Sequence, residues 1–221
     1  GPDELAASML VTVGGEAGAD PAVHLFGSMI GSETETAALL DEFVSVAGAD
    51  AASSERAHMR YGSLKNYLAE RGPGDQDDEH GRPYMKSEFF REPLPAGAVE
   101  ALVDLFVRGR RPWEARKLDF MPWGGAYNRV PAVATAFPHR EERFLLEHSV
   151  VVPADFDAAA TEAARAWLSD SWELVHPFGS GGVYANFPDT DLPDEHRAYW
   201  GGNLERVRRV KEKYDPGGAF G

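Results

Sequence analysis

Cysteine is absent from the 221 residues, which excludes a disulfide framework, a thiolate metal site and a cysteine nucleophile within the chain and leaves the redox compartment open. Positive charge is the second shortage: 22 lysines and arginines stand against 36 aspartates and glutamates, a formal net charge of -14. A chain so acidic repels a polyanion, so nucleic acid is not expected as a partner. Long apolar runs are missing too, since no stretch approaches the ~20 residues that a membrane helix needs. A soluble chain without a membrane partner is therefore expected. The opening GPDELAAS lacks the basic-then-apolar profile of a signal peptide, and its Gly-Pro has the form of a tag-cleavage remnant. The compartment stays unassigned. Glycine is plentiful, yet Gly179, Gly181, Gly182 and Gly201 are scattered among serine and aromatics, and none forms a phosphate-cradling loop before a helix. His80 sits in the acidic RGPGDQDDEHGRP (71–83) without partners at metal-ligand spacing, so no metal site is expected and the stretch reads as a solvated loop.

What is present is enough apolar material for a packed body: hydrophobic residues make up 43% of the chain and aromatic ones 11% of it. Ala6–Val13 and Val23–Ile30 read as strands parted by the turn-forming GGEAGADP, and Ser32 then caps a helix carrying Ala37, Leu40, Phe43, Val44 and Ala47 on one face up to Gly48. A shorter helix follows Ser63. Strand Tyr84–Phe90 leads to a helix after Pro95 with Val99, Leu102, Val103 and Phe106 expected inward, and Arg108, Arg110 and Arg111 complement that helix's negative end. Lys117–Met121 and, most strongly, Arg143–Val152 are further strands; Ala160, Ala163, Ala164, Trp167 and Leu168 mark the next helix, and Pro177 closes the unit. Strands interleaved with covering helices, without a glycine-rich strand-to-helix turn, predict an α+β fold on a largely antiparallel sheet with helices on one face.

Beyond Pro177 the chain changes character. Val183–Phe187 (VYANF) reads as a strand, an acidic proline-bounded loop follows, and Tyr199-Trp200-Gly201-Gly202-Asn203 opens an amphipathic helix with Leu204, Val207 and Val210, Asn203 as N-cap, and Asp215-Pro216-Gly217-Gly218 as its stop. The order YWGGN, ERVxxVK, KYDP resembles the C-terminal signature of the berberine bridge enzyme-like FAD-linked oxidases. PDEL at 2–5, KSEFF at 86–90 and PWGGAYNRVPAVATAFPHREERFLLEH at 122–148 occur in that family's order as well. The resemblance implies a substrate-binding domain over 1–177 and a berberine-bridge-like segment over 178–221 that returns to an FAD domain. That N-terminal FAD-binding domain is not represented in these residues. It further implies FAD as cofactor, held mainly by that domain and not expected bound to this chain, with the FAD domain of the same protein and a small-molecule substrate as partners.

In Arg143–Val152 alternate side chains share a face, so Glu147 goes with Leu145, Ser149 and Val151, and a carboxylate so placed has its pKa raised by desolvation toward the range of a useful base. A glutamate on a solvent-facing side of the strand is the other reading of Glu147, and on the sequence both stand. By resemblance Glu147 is the candidate base, Leu145 and Ser149 its substrate-lining neighbours. His148 points the other way, as a core histidine, and His139 with Arg140 holds a turn at least as readily as it meets substrate. Tyr184, Asn186 and Phe187 match the family strand Y-x-N-Y/F that nears flavin and substrate. Phe187 has no ionisable group, which excludes a tyrosinate at that position and leaves Tyr184 as the phenol of the site. Asn186, Tyr199, Trp200 and Asn203 are implied at the flavin edge, with Tyr184, Phe187, Tyr199 and Trp200 an exposed apolar patch when the FAD domain is absent. The implied chemistry is oxidation of an alcohol or related C–H group by hydride transfer to flavin, with O2 as acceptor. Two other readings stand beside it: a flavin-free binding protein or cyclase/isomerase using the same pocket, and a non-catalytic interaction module.

Overall fold

The computed structural model describes residues 2–71, 81–189 and 191–219. In chain order they form β1 (Leu5–Val13), β2 (Ala22–Met29), α1 (Glu33–Ala47), α2 (Tyr61–Arg71), β3 (Gly81–Phe90), α3 (Ala96–Val107), β4 (Ala115–Pro122), β5 (Phe144–Pro153), α4 (Ala158–Val175), α5 (Glu195–Trp200) and α6 (Leu204–Tyr214). The strands make one sheet in the order β2-β1-β4-β5-β3, with every neighbouring pair antiparallel. The expected α+β architecture with an antiparallel sheet is therefore present. His80 lies outside the described residues, but Gly81–Pro83, read as the end of a loop, instead begin β3 opposite Pro153, Val152 and Val151. Pro83 is tolerated because β3 is an edge strand, where a missing N–H can face away from the ladder.

Register assigns the two faces. Leu118 pairs with His148 and Phe120 with Leu146, and these alternate with Asp119–Glu147 and Lys117–Ser149. Leu118, Leu146, Val150 and Val152 belong to one buried cluster with Leu102 and Phe106 of α3 and Ala164, Trp167, Leu168 and Val175 of α4. Helices thus cover one face, and Lys117, Asp119, Glu147 and Ser149 belong to the other. His148 is on the helix side as expected: it is fully buried, with Nδ1 2.8 Å from Ser171 Oγ, and burial with nearby Lys86 pushes its pKa down to about 3, so it is a neutral core histidine.

Three helix readings need correction. In α3 the inward stripe is Ala98, Leu102 and Phe106, with Leu105 packed beside it, while Val99 and Val103 are 43% and 53% exposed; the packed face is centred on the Ala98–Leu102 line, which leaves the two valines at its margin. The α3 carbonyls are satisfied not by Arg108, Arg110 and Arg111 but by Arg116 of β4, whose Nη1 donates to the Leu105, Phe106 and Arg108 carbonyls at 2.9 to 3.2 Å while Glu114 neutralises it. And α1, although it has the Ser32–Glu35 capping box and ends at Gly48 with φ 67°, buries none of its residues.

The α3 correction is directly measurable. Leu102→Ala removes a buried side chain and is expected to cost roughly 2–5 kcal/mol in chemical denaturation, whereas Val103→Ala should stay within about 0.5 kcal/mol. Equal losses at both positions would contradict this orientation of α3.

Candidate functional site

On the face away from the helices, register lays side chains in rows. One row runs Thr12, Lys117, Ser149, Met85; the next runs His24, Leu10, Asp119, Glu147, Ser87; the third runs Met121, Leu145, Phe89. A polar band across the sheet thus borders an apolar one. Glu147 is 5% exposed and Ser149 4%, Leu145 is fully buried, and Lys117 Nζ lies 3.3 Å from Glu147 Oε1.

Beside the apolar row stands an aromatic wall. Phe89 stacks on His139 at 4.9 Å and meets Trp123 edge-on at 5.0 Å; Tyr184 meets Trp123 at 5.1 Å and Phe187 at 5.3 Å, and Phe137 fills the centre. Edge-to-face and offset packing of this kind adds specificity beyond buried area. His139 donates through Nε2 to the Tyr199 carbonyl at 3.0 Å, and burial lowers its pKa. Its neutral ring is a packing element, and Arg140, bonded to Thr135 and to the Tyr127 carbonyl, braces the same turn.

The segment after α4 closes the free edge of β3. Ser180 N donates to the Phe89 carbonyl at 2.8 Å, Phe89 N to the Gly182 carbonyl at 2.9 Å, and Tyr184 N to Ser87 Oγ at 3.2 Å. Val183–Phe187 is nevertheless not a strand. Gly181 at φ 77° redirects the backbone, Val183 N turns to the Ala198 carbonyl, and Phe187 N folds back on the Tyr184 carbonyl. The loop that follows contains the short α5, capped by Asp194, which the acidic sequence did not announce. Lys86, on the helix side, reaches Asp189 Oδ2 at 2.8 Å.

The structure brings Glu147, Leu145 and Ser149 together on one face, and Tyr184 joins that margin through its backbone, whose N donates to Ser87, the cross-strand partner of Glu147, while its ring packs in the aromatic wall. The Tyr184 hydroxyl accepts from Asn186 Nδ2 at 2.8 Å, and Asn186 itself is exposed. Tyr199 is bonded through its hydroxyl to Asp189, with burial raising its pKa. Asn203 is not an N-cap. Its backbone is already helical, and its buried side-chain amide donates to the Ala132, Thr135 and Ala136 carbonyls, tying α6 to the loop before Phe137. Tyr184, Phe187, Tyr199 and Trp200 are half-buried rather than an exposed patch, because the aromatic wall already partners the first two. Lys117, Asp119, Ser87 and Trp123 were missed; alternation within Lys117–Met121 was visible, but register against β5 was not.

No group of three or more His, Asp or Glu among the described residues could hold a metal ion, and no described helix is long and apolar enough to cross a membrane. Concavities of about 320 and 490 Å³ lie on the helix side, lined by residues such as Arg116 and Trp167 or Arg82 and Arg165, away from the polar rows. For a dinucleotide the fit is partial. The start of α6, the one helix entered through paired glycines, is closed by Pro138, 3.4 Å from a Cβ built on Gly201, and by the carbonyls that Asn203 serves, so it offers no phosphate cradle.

Comparison with known proteins agrees with this geometry. Residues 183–221 match the family model described as berberine and berberine like. Over 152 residues, 61% of this chain and 26% of the relative, the sequence is 34% identical to berberine bridge enzyme-like 6 of Arabidopsis thaliana. Over 105 residues, 46% of this chain and 22% of the relative, it is 34% identical to an uncharacterized FAD-linked oxidoreductase of Bacillus subtilis. A berberine bridge enzyme variant solved in complex with (S)-reticuline shares the fold, with a TM-score of 0.77 over 99% of this chain and 47% of that one at 20% identity. Residues 183–221 thus carry the berberine-like segment, and the chain is similar in sequence and in fold to part of the berberine bridge enzyme-like proteins. It spans about a quarter of the curated relatives' length and about half of the solved one's.

One buried acid at the margin of the site sets a pH dependence. Glu88 of β3 is fully buried, bonded to His176 Nδ1 at 2.7 Å and to Gly181 N at 2.8 Å, and desolvation raises its pKa to about 7 despite both partners. A folded-state pKa above the unfolded 4.5 means that the folded chain holds the proton more tightly, so this contribution is fully present below pH 4.5 and is lost as pH rises through 7. Denaturation of wild type and Glu88→Gln at pH 5 and pH 8 should show the wild type losing more stability across that interval; parallel behaviour of the two would contradict the assignment.

Proposed function

We propose that the chain is the substrate-binding portion of an FAD-dependent oxidoreductase that oxidises an alcohol or related C–H group of a small molecule, with hydride passing to flavin and O2 as the acceptor. The observation that carries this reading is the Ser87 junction, where Ser87, the cross-strand partner of the buried Glu147, also accepts from the Tyr184 backbone N, so that a polar band holding a carboxylate borders an aromatic wall holding a phenol. The FAD-binding domain of the same protein is the proposed partner, and FAD supplies the hydride acceptor when bound there. Glu147 takes the substrate proton, and its near-complete burial keeps water from competing for that position. Tyr184 orients the substrate oxygen through its hydroxyl. Leu145, Ser149 and Phe187 line the substrate, Phe187 by shape alone. Asn186, Tyr199, Trp200 and Asn203 form the side toward the flavin, Asn186 by contact and Tyr199 and Asn203 by fixing the loops that carry it. Residues 1–177 serve as the substrate domain and 178–221 as the segment joining it to the flavin side.

In the flavin-containing protein, Glu147→Gln should slow flavin reduction by substrate roughly 10²–10⁴-fold, the usual contribution of a positioned base, with the flavin absorption spectrum unchanged. Reduction at the parental rate would remove Glu147 from the reaction. The 221-residue chain by itself should be folded by circular dichroism, colourless and inert toward alcohols; stoichiometric bound flavin, or turnover without it, would overturn the division of labour proposed here.

A further inference from the structure

The polar band contains an interaction that the resemblance did not supply. Asp119 of β4 is the direct cross-strand partner of Glu147, and side chains so related have Cβ atoms about 4.5–5.5 Å apart. Two carboxylates at that range on a face shielded from water compete for a single proton, because ionising the second beside the first is strongly unfavourable. A proton parked between them would leave Glu147 unable to accept another. Lys117 changes that balance. It lies two residues before Asp119, hence on the same face, and its own cross-strand partner is Ser149, two residues beyond Glu147. Its long side chain spans the diagonal and brings Nζ to 3.3 Å from Glu147 Oε1, with the two side chains 24% and 6% exposed.

Within the strands of this face the charged or titratable groups are Lys117, Asp119, Glu147 and His24, the last 3.4 Å from Thr12 Oγ1. β3 contributes Met85, Ser87 and Phe89, which carry no charge. Among the described residues, the loops beside the face bring His139, held at the Tyr199 carbonyl, Arg140, held by Thr135 and Tyr127, and Tyr184. Lys86, Glu88 and Arg116 belong by register to the helix side, where Asp189, His176 and Glu114 occupy them.

We propose that Lys117 is a positioning residue for Glu147: its ammonium keeps the carboxylate ionised beside Asp119 and fixes Oε1 within the polar band. The proposal rests on the reading of Glu147 as proton acceptor only for its effect on the reaction, not for the pairing itself. The pairing is tested in the 221-residue chain by carbon-detected NMR titration of glutamate side-chain carboxyls, the Glu147 signal being identified by its loss in Glu147→Gln. Lys117→Met should move that titration upward by about one to three pH units, the usual influence of an opposite charge at contact, and Lys117→Arg should return it toward wild type. An unmoved titration in folded Lys117→Met overturns the proposal, and should that variant not fold, an upward move of two pH units or more in Lys117→Arg overturns it instead. A second measurement separates the pairing from the function. In the flavin-containing protein, the acidic limb of the pH profile for flavin reduction should shift upward in Lys117→Met while the rate at high pH is retained. A moved titration with an unmoved reduction profile upholds the pairing and overturns Glu147 as the acceptor.

Discussion

The ion pair between Lys86 and Asp189 joins the sheet to everything beyond α4. Its side chains are only 6% and 7% exposed at 2.8 Å separation, so neither charge has bulk water to fall back on. Losing one partner of such a pair costs roughly 3–5 kcal/mol, because the other is left buried and uncompensated. The remaining links are laid around it: Asp189 N donates to the Tyr199 hydroxyl, Asp191 N to Asp189 Oδ1, and Lys86 lies 5.5 Å over the Trp172 ring. With Asp189 fixed, Tyr184 five residues earlier is held between that anchor and Ser87.

The alternation of β3 lets a single strand serve both sides. Lys86 and Glu88 point toward the helices and hold the returning chain, through Asp189 and through His176 with Gly181. Ser87 and Phe89 point to the other face and build the site, Ser87 by placing Tyr184 and Phe89 by stacking on His139. Two glycines are needed for the close approach: a Cβ at Gly179 would lie 2.2 Å from Glu88 Oε1, and one at Gly182 would lie 2.4 Å from the His139 ring. The Lys117–Glu147 pair stands on the same face as Ser87, which ties the proposed chemistry to the strand that secures the C-terminal segment.

Much of this was legible residue by residue. All five strands and the four helices before Pro177 follow from apolar spacing and capping, and the opposite orientations of Glu147 and His148 follow from the period of two. What failed depended on distant partners. Val183–Phe187 has a strand's composition, but its donors go to Ser87, Ala198 and Tyr184 and not to a ladder. Asn203 has the right residue type and spacing for a cap, yet three carbonyls of the 132–136 loop claim its amide. Val99 and Val103 are apolar but largely outward, since α3 carries two overlapping apolar stripes and packing chose the one through Ala98, Leu102 and Leu105. Of the candidate site, Glu147, Leu145, Ser149 and Tyr184 came from alternation and family order, whereas Lys117 and Asp119 needed the β4–β5 register, which no local pattern encodes.

The two margins of the sheet are unlike. At β3 the returning chain from Ser180 to Tyr184 takes up main-chain hydrogen bonds and Pro83 removes a donor, so that margin is sealed. At β2 the sequence AVHLFGSM has no lysine, glutamate or proline, and no strand flanks it on its outer side among the described residues. Natural edges usually carry such residues to discourage further pairing. Among the described residues the β2 margin, along Val23 and Leu25, is therefore where the sheet presents its main chain without such a guard.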